Sequence, residues 1–111
     1  MPNWCYNDEI IVGPKNEIVE FYDKLREWTS KNYIENGFGT NWIGNIVLGA
    51  GFKNTELKCR GEIVYDFDLC TDEDECMISF KSETAWVDVH ETWYEILKKH
   101  APNCKYYFQY E

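Results

Sequence analysis

The chain has 111 residues, with 20 Asp or Glu against 11 Lys or Arg, for a formal net charge of −9. That length holds one hydrophobic core and no second domain, and 44% hydrophobic residues, 17% aromatic, supply the apolar volume to order it. So acidic a chain is repelled by phosphate backbones, which disfavours direct nucleic-acid binding; it suits a partner with a basic surface, or simply resists aggregation.

No run approaches the roughly 20 apolar residues of a membrane span, so no membrane association is expected. The start Met1-Pro2-Asn3-Trp4-Cys5 lacks the basic and apolar regions of a signal peptide. Cys5, Cys59, Cys70, Cys76 and Cys104 are scattered without C-x-x-C spacing, against a zinc knuckle or thioredoxin-type site. Reduced, buried thiols in a cytoplasmic protein are the expectation.

In chain order, Asn3 to Val12 ends in the strand-like run Glu9-Ile10-Ile11-Val12, stopped by Gly13-Pro14. Pro14 suits a first helical turn, where its missing N–H has no partner to lose. Ile18, Phe21, Tyr22, Leu25 and Trp28 then form one apolar helical stripe, opposite Glu17, Glu20, Lys24 and Glu27. Asn32, or Asn36-Gly37, is expected to end that helix. From about 36 to 54, five glycines interleave with Phe38, Trp42, Ile43, Ile46, Val47 and Leu48. This glycine-rich aromatic insertion predicts an ordered loop, with Trp42 to Leu48 a short strand or half-turn of helix.

Glu62 to Leu69 alternates, Ile63, Tyr65, Phe67 and Leu69 against Glu62, Val64, Asp66 and Asp68, which predicts a half-exposed strand. A polar turn, Thr71 to Glu75, leads to its hairpin partner Cys76 to Lys81. A second helix is predicted from Asp88 to His100, with Asp88 as N-cap, Glu91 at the reciprocal position, and Val89, Trp93, Ile96, Leu97 and His100 facing inward. Cys104 to Tyr110 closes the series as an aromatic strand, with Tyr107 and Gln109 on one face and Tyr106, Phe108 and Tyr110 on the other. The fold class predicted is α+β: a β-α-β-β-α-β ferredoxin-like sandwich, an antiparallel sheet with two helices on one face.

The opening Met1-Pro2-Asn3-Trp4-Cys5-Tyr6-Asn7, with Gly13 and then a helix, resembles the YubB-type ferredoxin-like family of phage- and plasmid-encoded proteins of unknown function. Trp42-Ile43-Gly44-Asn45, the run Phe80 to Trp86 and the closing Tyr110-Glu111 are similar to it too. The resemblance implies a mobile-element origin and the same fold; it brings no reaction with it. Longer members continue past the final strand, so a function housed there is not expected here.

Four sets of residues invite a functional reading. Asp66, Asp68, Asp72, Glu73, Asp74 and Glu75 form an acidic segment. It suits docking to a basic host protein, such as a nucleic-acid-processing defence enzyme, or a solvated hairpin tip that protects an edge. Asp66 and Asp68 on one strand face would alternatively hold a divalent cation as in a metal-dependent nuclease; an EF-hand pattern is missing. Asn41, Trp42, Gly44 and Asn45 offer donors, acceptors and a stacking ring for a nucleotide-like signal, against a plain core plug. His90 and His100 lie some three helical turns apart, too far to share a metal, and suit capping or packing. A tyrosine-bearing open sheet face is how some domains stack RNA bases, but the charge argues against that use here. No cofactor is expected; the leading reading is a non-enzymatic counter-defence protein, with homodimer formation through edge strands or exposed aromatics a further expectation.

Overall fold

A computed structural model describes residues 4–33, 39–53, 55, 57, 59–71, 75–85 and 89–110, and among these all side chains but those of residues 4, 5, 65, 66, 85 and 110. The elements are β1 (Trp4–Pro14), α1 (Lys15–Trp28), α2 (Ile43–Gly49), β2 (Gly61–Cys70), β3 (Glu75–Ala85), α3 (His90–His100) and β4 (Lys105–Tyr110). The fold is α+β. Its strands form one antiparallel sheet in the order β2-β3-β1-β4.

Period-two alternation decides which face of the sheet is dry. In β1, Asn7, Glu9, Ile11 and Gly13 are buried, while Tyr6 and Asp8 are exposed. Ile11 lies across from Ile78 of β3 and Tyr106 of β4, both buried, so the three strands share one inner face. Helix α1 packs across β1, β2 and β3, and α3 packs along β4. Ile18, Phe21, Leu25 and Trp28 of α1 join Trp93, Ile96 and Leu97 of α3 and Ile43, Ile46 and Val47 of α2 in one core. Burying each large side chain contributes about 1.5–3 kcal/mol, so these faces hold the helices to the sheet.

The boundaries shift from the sequence expectation for identifiable reasons. Gly13 does not stop β1, which runs on through Pro14 with φ −61° and ψ 145°. A Cβ at Gly13 would lie 2.5 Å from Cys104 Sγ, so this glycine serves close approach rather than a turn. Helix α1 stops at Trp28, short of Asn32. There the Thr29 hydroxyl donates to the Leu25 carbonyl at 2.9 Å and the Ser30 hydroxyl to that of Glu27 at 2.6 Å. Such side-chain bonds compete with helix propagation.

Part of the expected 36–54 loop is helix α2. Gly44 and Gly49 leave room where a Cβ would meet the rings of Trp42 and Trp28 respectively. Close packing outweighs the poor helix propensity of glycine. Strand β2 buries Ile63 and Phe67 as expected, but its register with β3 shifts twice between Ile63 and Asp68. Strand β3 continues past Lys81 to Ala85. Helix α3 begins at His90 with Val89, not Asp88, at the N-cap and no side-chain cap bond. Val89 is 5% exposed, so core packing fixes the helix entry.

Candidate functional site

The outer face of the sheet carries the best candidate surface. Cross-strand register sets its rows: Asp68, Ser79, Ile10 and Tyr107 in one, Lys81, Asp8 and Gln109 in the next, then Glu62, Glu83 and Tyr6. Tyr6 and Tyr107 are 56% and 52% exposed, which is high for aromatic rings and leaves their faces open to a partner. A groove of about 680 Å³ crosses all four strands, lined by Asp8, Ile10, Asp68, Ser79, Lys81, Tyr107 and Gln109 among others. A second, of about 520 Å³, lies beside Tyr6, Val64 and Glu83.

The electrostatics of this face are acidic. Asp8, Glu62, Asp68 and Glu83 stand against Lys81 and Lys105, and Lys81 Nζ is already 3.3 Å from Asp8 Oδ1. That pair is solvent-exposed and adds little to stability. The Tyr6 hydroxyl donates to the Glu83 carboxylate, and that bond, with the negative charge beside it, pushes the phenol above its ordinary pKa. Carboxylates interleaved with tyrosine rings suit guanidinium and ammonium groups.

Of the acidic segment, Asp68 and Glu75 are exposed at the ends of β2 and β3. Asp72, Glu73 and Asp74 lie outside the described residues, as does the side chain of Asp66, so the convergence expected of Asp66 and Asp68 lies outside them too. Among the described residues no three His, Cys, Asp or Glu side chains gather as a metal site.

The loop candidates divide. Asn41 is exposed and Trp42 half-buried, its ring over Gly44. Asn45 is 1% exposed and is the clamp of the region. Its Nδ2 donates to the carbonyls of Trp28 at 2.8 Å, Lys31 at 3.0 Å and Thr40 at 3.2 Å, while Oδ1 accepts the Tyr33 N–H at 2.8 Å. Its carboxamide, offered by the sequence as a ligand group, is spent on the backbone that follows α1. Ile43, Ile46 and Val47 beside it are fully buried, as a core plug requires.

The two histidines serve packing. His90 stacks on Phe108 with centroids 5.1 Å apart. His100 meets Trp28 edge-on at 4.9 Å and reaches the Ala50 carbonyl. Burial, with Lys24 and Lys99 nearby, holds its pKa below the ordinary value despite that hydrogen bond.

A polar cluster inside the sheet went unread in the sequence. Glu9, 2% exposed, accepts from the Tyr106 hydroxyl at 2.6 Å through Oε2 and from the Ser82 hydroxyl through Oε1. Asn7 Nδ2 donates to Thr84 Oγ1 at 3.1 Å and Ser82 Oγ at 3.3 Å. The signal was available: Asn7 and Glu9 share the period-two face of Ile11, so whatever buries Ile11 buries them. A buried carboxylate is tolerated only with donors in place, and here β3 and β4 each supply one.

Of the thiols, Cys76 and Cys104 are buried, Cys59 is half-buried and Cys70 is exposed, which corrects the expectation of general burial. Burial and the nearby Glu17 push Cys104 up to about 11. Burial raises Cys59 as well. No helix of the described residues is long and apolar enough to cross a membrane.

Comparison with protein-family models, with curated proteins and with solved structures gave no match to this chain.

Proposed function

We propose that the chain is a non-enzymatic protein-binding module that docks its acidic sheet face and β2–β3 hairpin on a basic surface of another protein. The observation that carries this is the composition of the outer face: Asp8, Glu62, Asp68 and Glu83 around exposed Tyr6 and Tyr107, with Lys81 already paired. Complementary charge of this kind speeds association and excludes wrong partners. A phosphate-binding groove on a nucleic-acid-processing enzyme presents the required Lys and Arg. The resemblance of the opening residues to YubB-type proteins makes a phage or mobile-element origin, action in the host cytoplasm and a counter-defence role part of the same reading. The β-α-β-β-α-β order of a ferredoxin-like domain, with α2 inserted, belongs to it also; the antiparallel sheet order β2-β3-β1-β4 supports it.

The test is capture from host lysate by the native chain and by a variant carrying Asp68→Lys, Glu75→Lys and Glu83→Lys. The native chain should retain a basic nucleic-acid enzyme at low salt, release it at high salt and lose it to competing duplex DNA. The variant should retain none. Equal capture by both chains, or indifference to DNA, refutes the proposal.

A further inference from the structure

At the β4 edge of the sheet we infer a second docking site, one that takes an extended acidic peptide as a strand added to β4. Among the described residues β4 pairs with β1 alone and ends the sheet. A strand in that position leaves a row of backbone N–H and C=O groups open to pairing. Beside it, α3 and β4 enclose a groove of about 370 Å³ lined by Tyr94, Leu97, Lys98, Pro102, Lys105 and Tyr106, among others. An edge strand backed by a groove against a helix is the arrangement in which main-chain bonds give affinity and alternate side chains find pockets.

The charge of the groove names the occupant. The chain as a whole carries −9, and Lys24, Lys31 and Lys81 each pair with a carboxylate. Lys98 and Lys105 are exposed, and no described carboxylate lies within salt-bridge reach of either. Two unpaired lysines at a groove with an apolar floor suit a peptide alternating acidic and apolar residues, its carboxylates at the lysines and its apolar side chains against Tyr94, Leu97 and Pro102. This site borders the acidic face, sharing Lys105 and Tyr107 with it, but it lies at the sheet edge away from β2 and takes the opposite charge.

The experiment is an NMR titration of the full chain, labelled with ¹⁵N, using an octapeptide of alternating Val and Glu. Amide shifts should move at residues 105–110 and 94–98. An alternating Val and Lys octapeptide should move none of them. Lys98→Glu with Lys105→Glu, both on the surface, should weaken binding about tenfold or more. A Val and Glu peptide N-methylated at alternate amides should bind as weakly, because it cannot complete the ladder. Absent shifts, shifts indifferent to the charge reversal, or shifts indifferent to N-methylation each overturn the inference. Concentration-dependent movement of the same amides without peptide would assign the edge to a second copy of the chain instead, and overturns it too.

Discussion

His100, the last residue of α3, places its Nε2 2.7 Å from the carbonyl oxygen of Ala50, which caps α2. A carbonyl only accepts, so Nε2 carries the hydrogen and any further proton must enter at Nδ1. That step is opposed by burial and by the charges of Lys24 and Lys99, and the pKa is held low. Unfolded, the residue takes its proton near pH 6.5. Its contribution to stability is therefore complete above about pH 6.5 and is lost as the pH falls from there through the lower folded pKa. Denaturation midpoints at pH 7.5 and 5.5 should fall further for the native chain than for His100→Gln, which keeps a donor and does not titrate. Equal falls would remove His100 as the source.

Asn45 gives a larger effect. Replacing it with Ala orphans three carbonyls and the Tyr33 N–H at a site with little access to water. A loss of about 3 kcal/mol is expected from urea denaturation. Asn45→Asp should be at least as damaging, since a carboxylate would face the carbonyls of Trp28, Lys31 and Thr40 with no hydrogen to give.

Tyr106→Phe removes the hydroxyl that donates to Glu9 and keeps the ring. A hydrogen bond to a buried carboxylate is worth about 2 kcal/mol, and thermal or chemical denaturation should show that loss. Adding Glu9→Gln should recover part of it, because the residue left short of a donor would then carry no charge. Additive losses in the double variant would mean that the two side chains do not interact.

The thiols should separate by labelling. With its pKa near 11, Cys104 is thiolate in roughly one molecule in a thousand at pH 8, and it is buried besides. Cys70 is exposed. Iodoacetamide followed by peptide mapping should modify Cys70 well before Cys104 or Cys76, and modification of Cys104 should await denaturant.

Much of the inner face was legible because periodicity alone determines it. Ile18, Phe21, Leu25 and Trp28 recur at helical spacing and Ile63 and Phe67 at strand spacing, and all are buried. What escaped was set by contacts distant in sequence. Helix α2 forms although it contains Gly44 and Gly49, because Trp42 and Trp28 occupy the space their missing side chains leave. Gly13 read as punctuation because Cys104, its reason for being glycine, lies 91 residues on. The candidate surface shows the same division. The acidity of the chain was plain from composition, but the grouping of Asp8 and Glu83 with Asp68 and Tyr107 depends on strand register, which no local pattern states.

Strand β1 lies between β3 and β4, so the first of these four strands to leave the ribosome waits for the later two. Glu9 meets Ser82 only after a further 73 residues have been synthesised, and Tyr106 only after 97. Until then it remains hydrated and charged, and the inner face of β1 has no neighbouring strand to cover its edges. Contacts of such long sequence separation slow folding, and a nascent chain of this topology spends its synthesis with a central strand unsatisfied. Its early acidic residues, Asp8, Glu9, Glu17 and Glu20, then act as solubilising charge before two of the four strands exist. Asp8 and Glu20 keep their charges on the finished surface, whereas Glu9 goes inside once its two donors arrive.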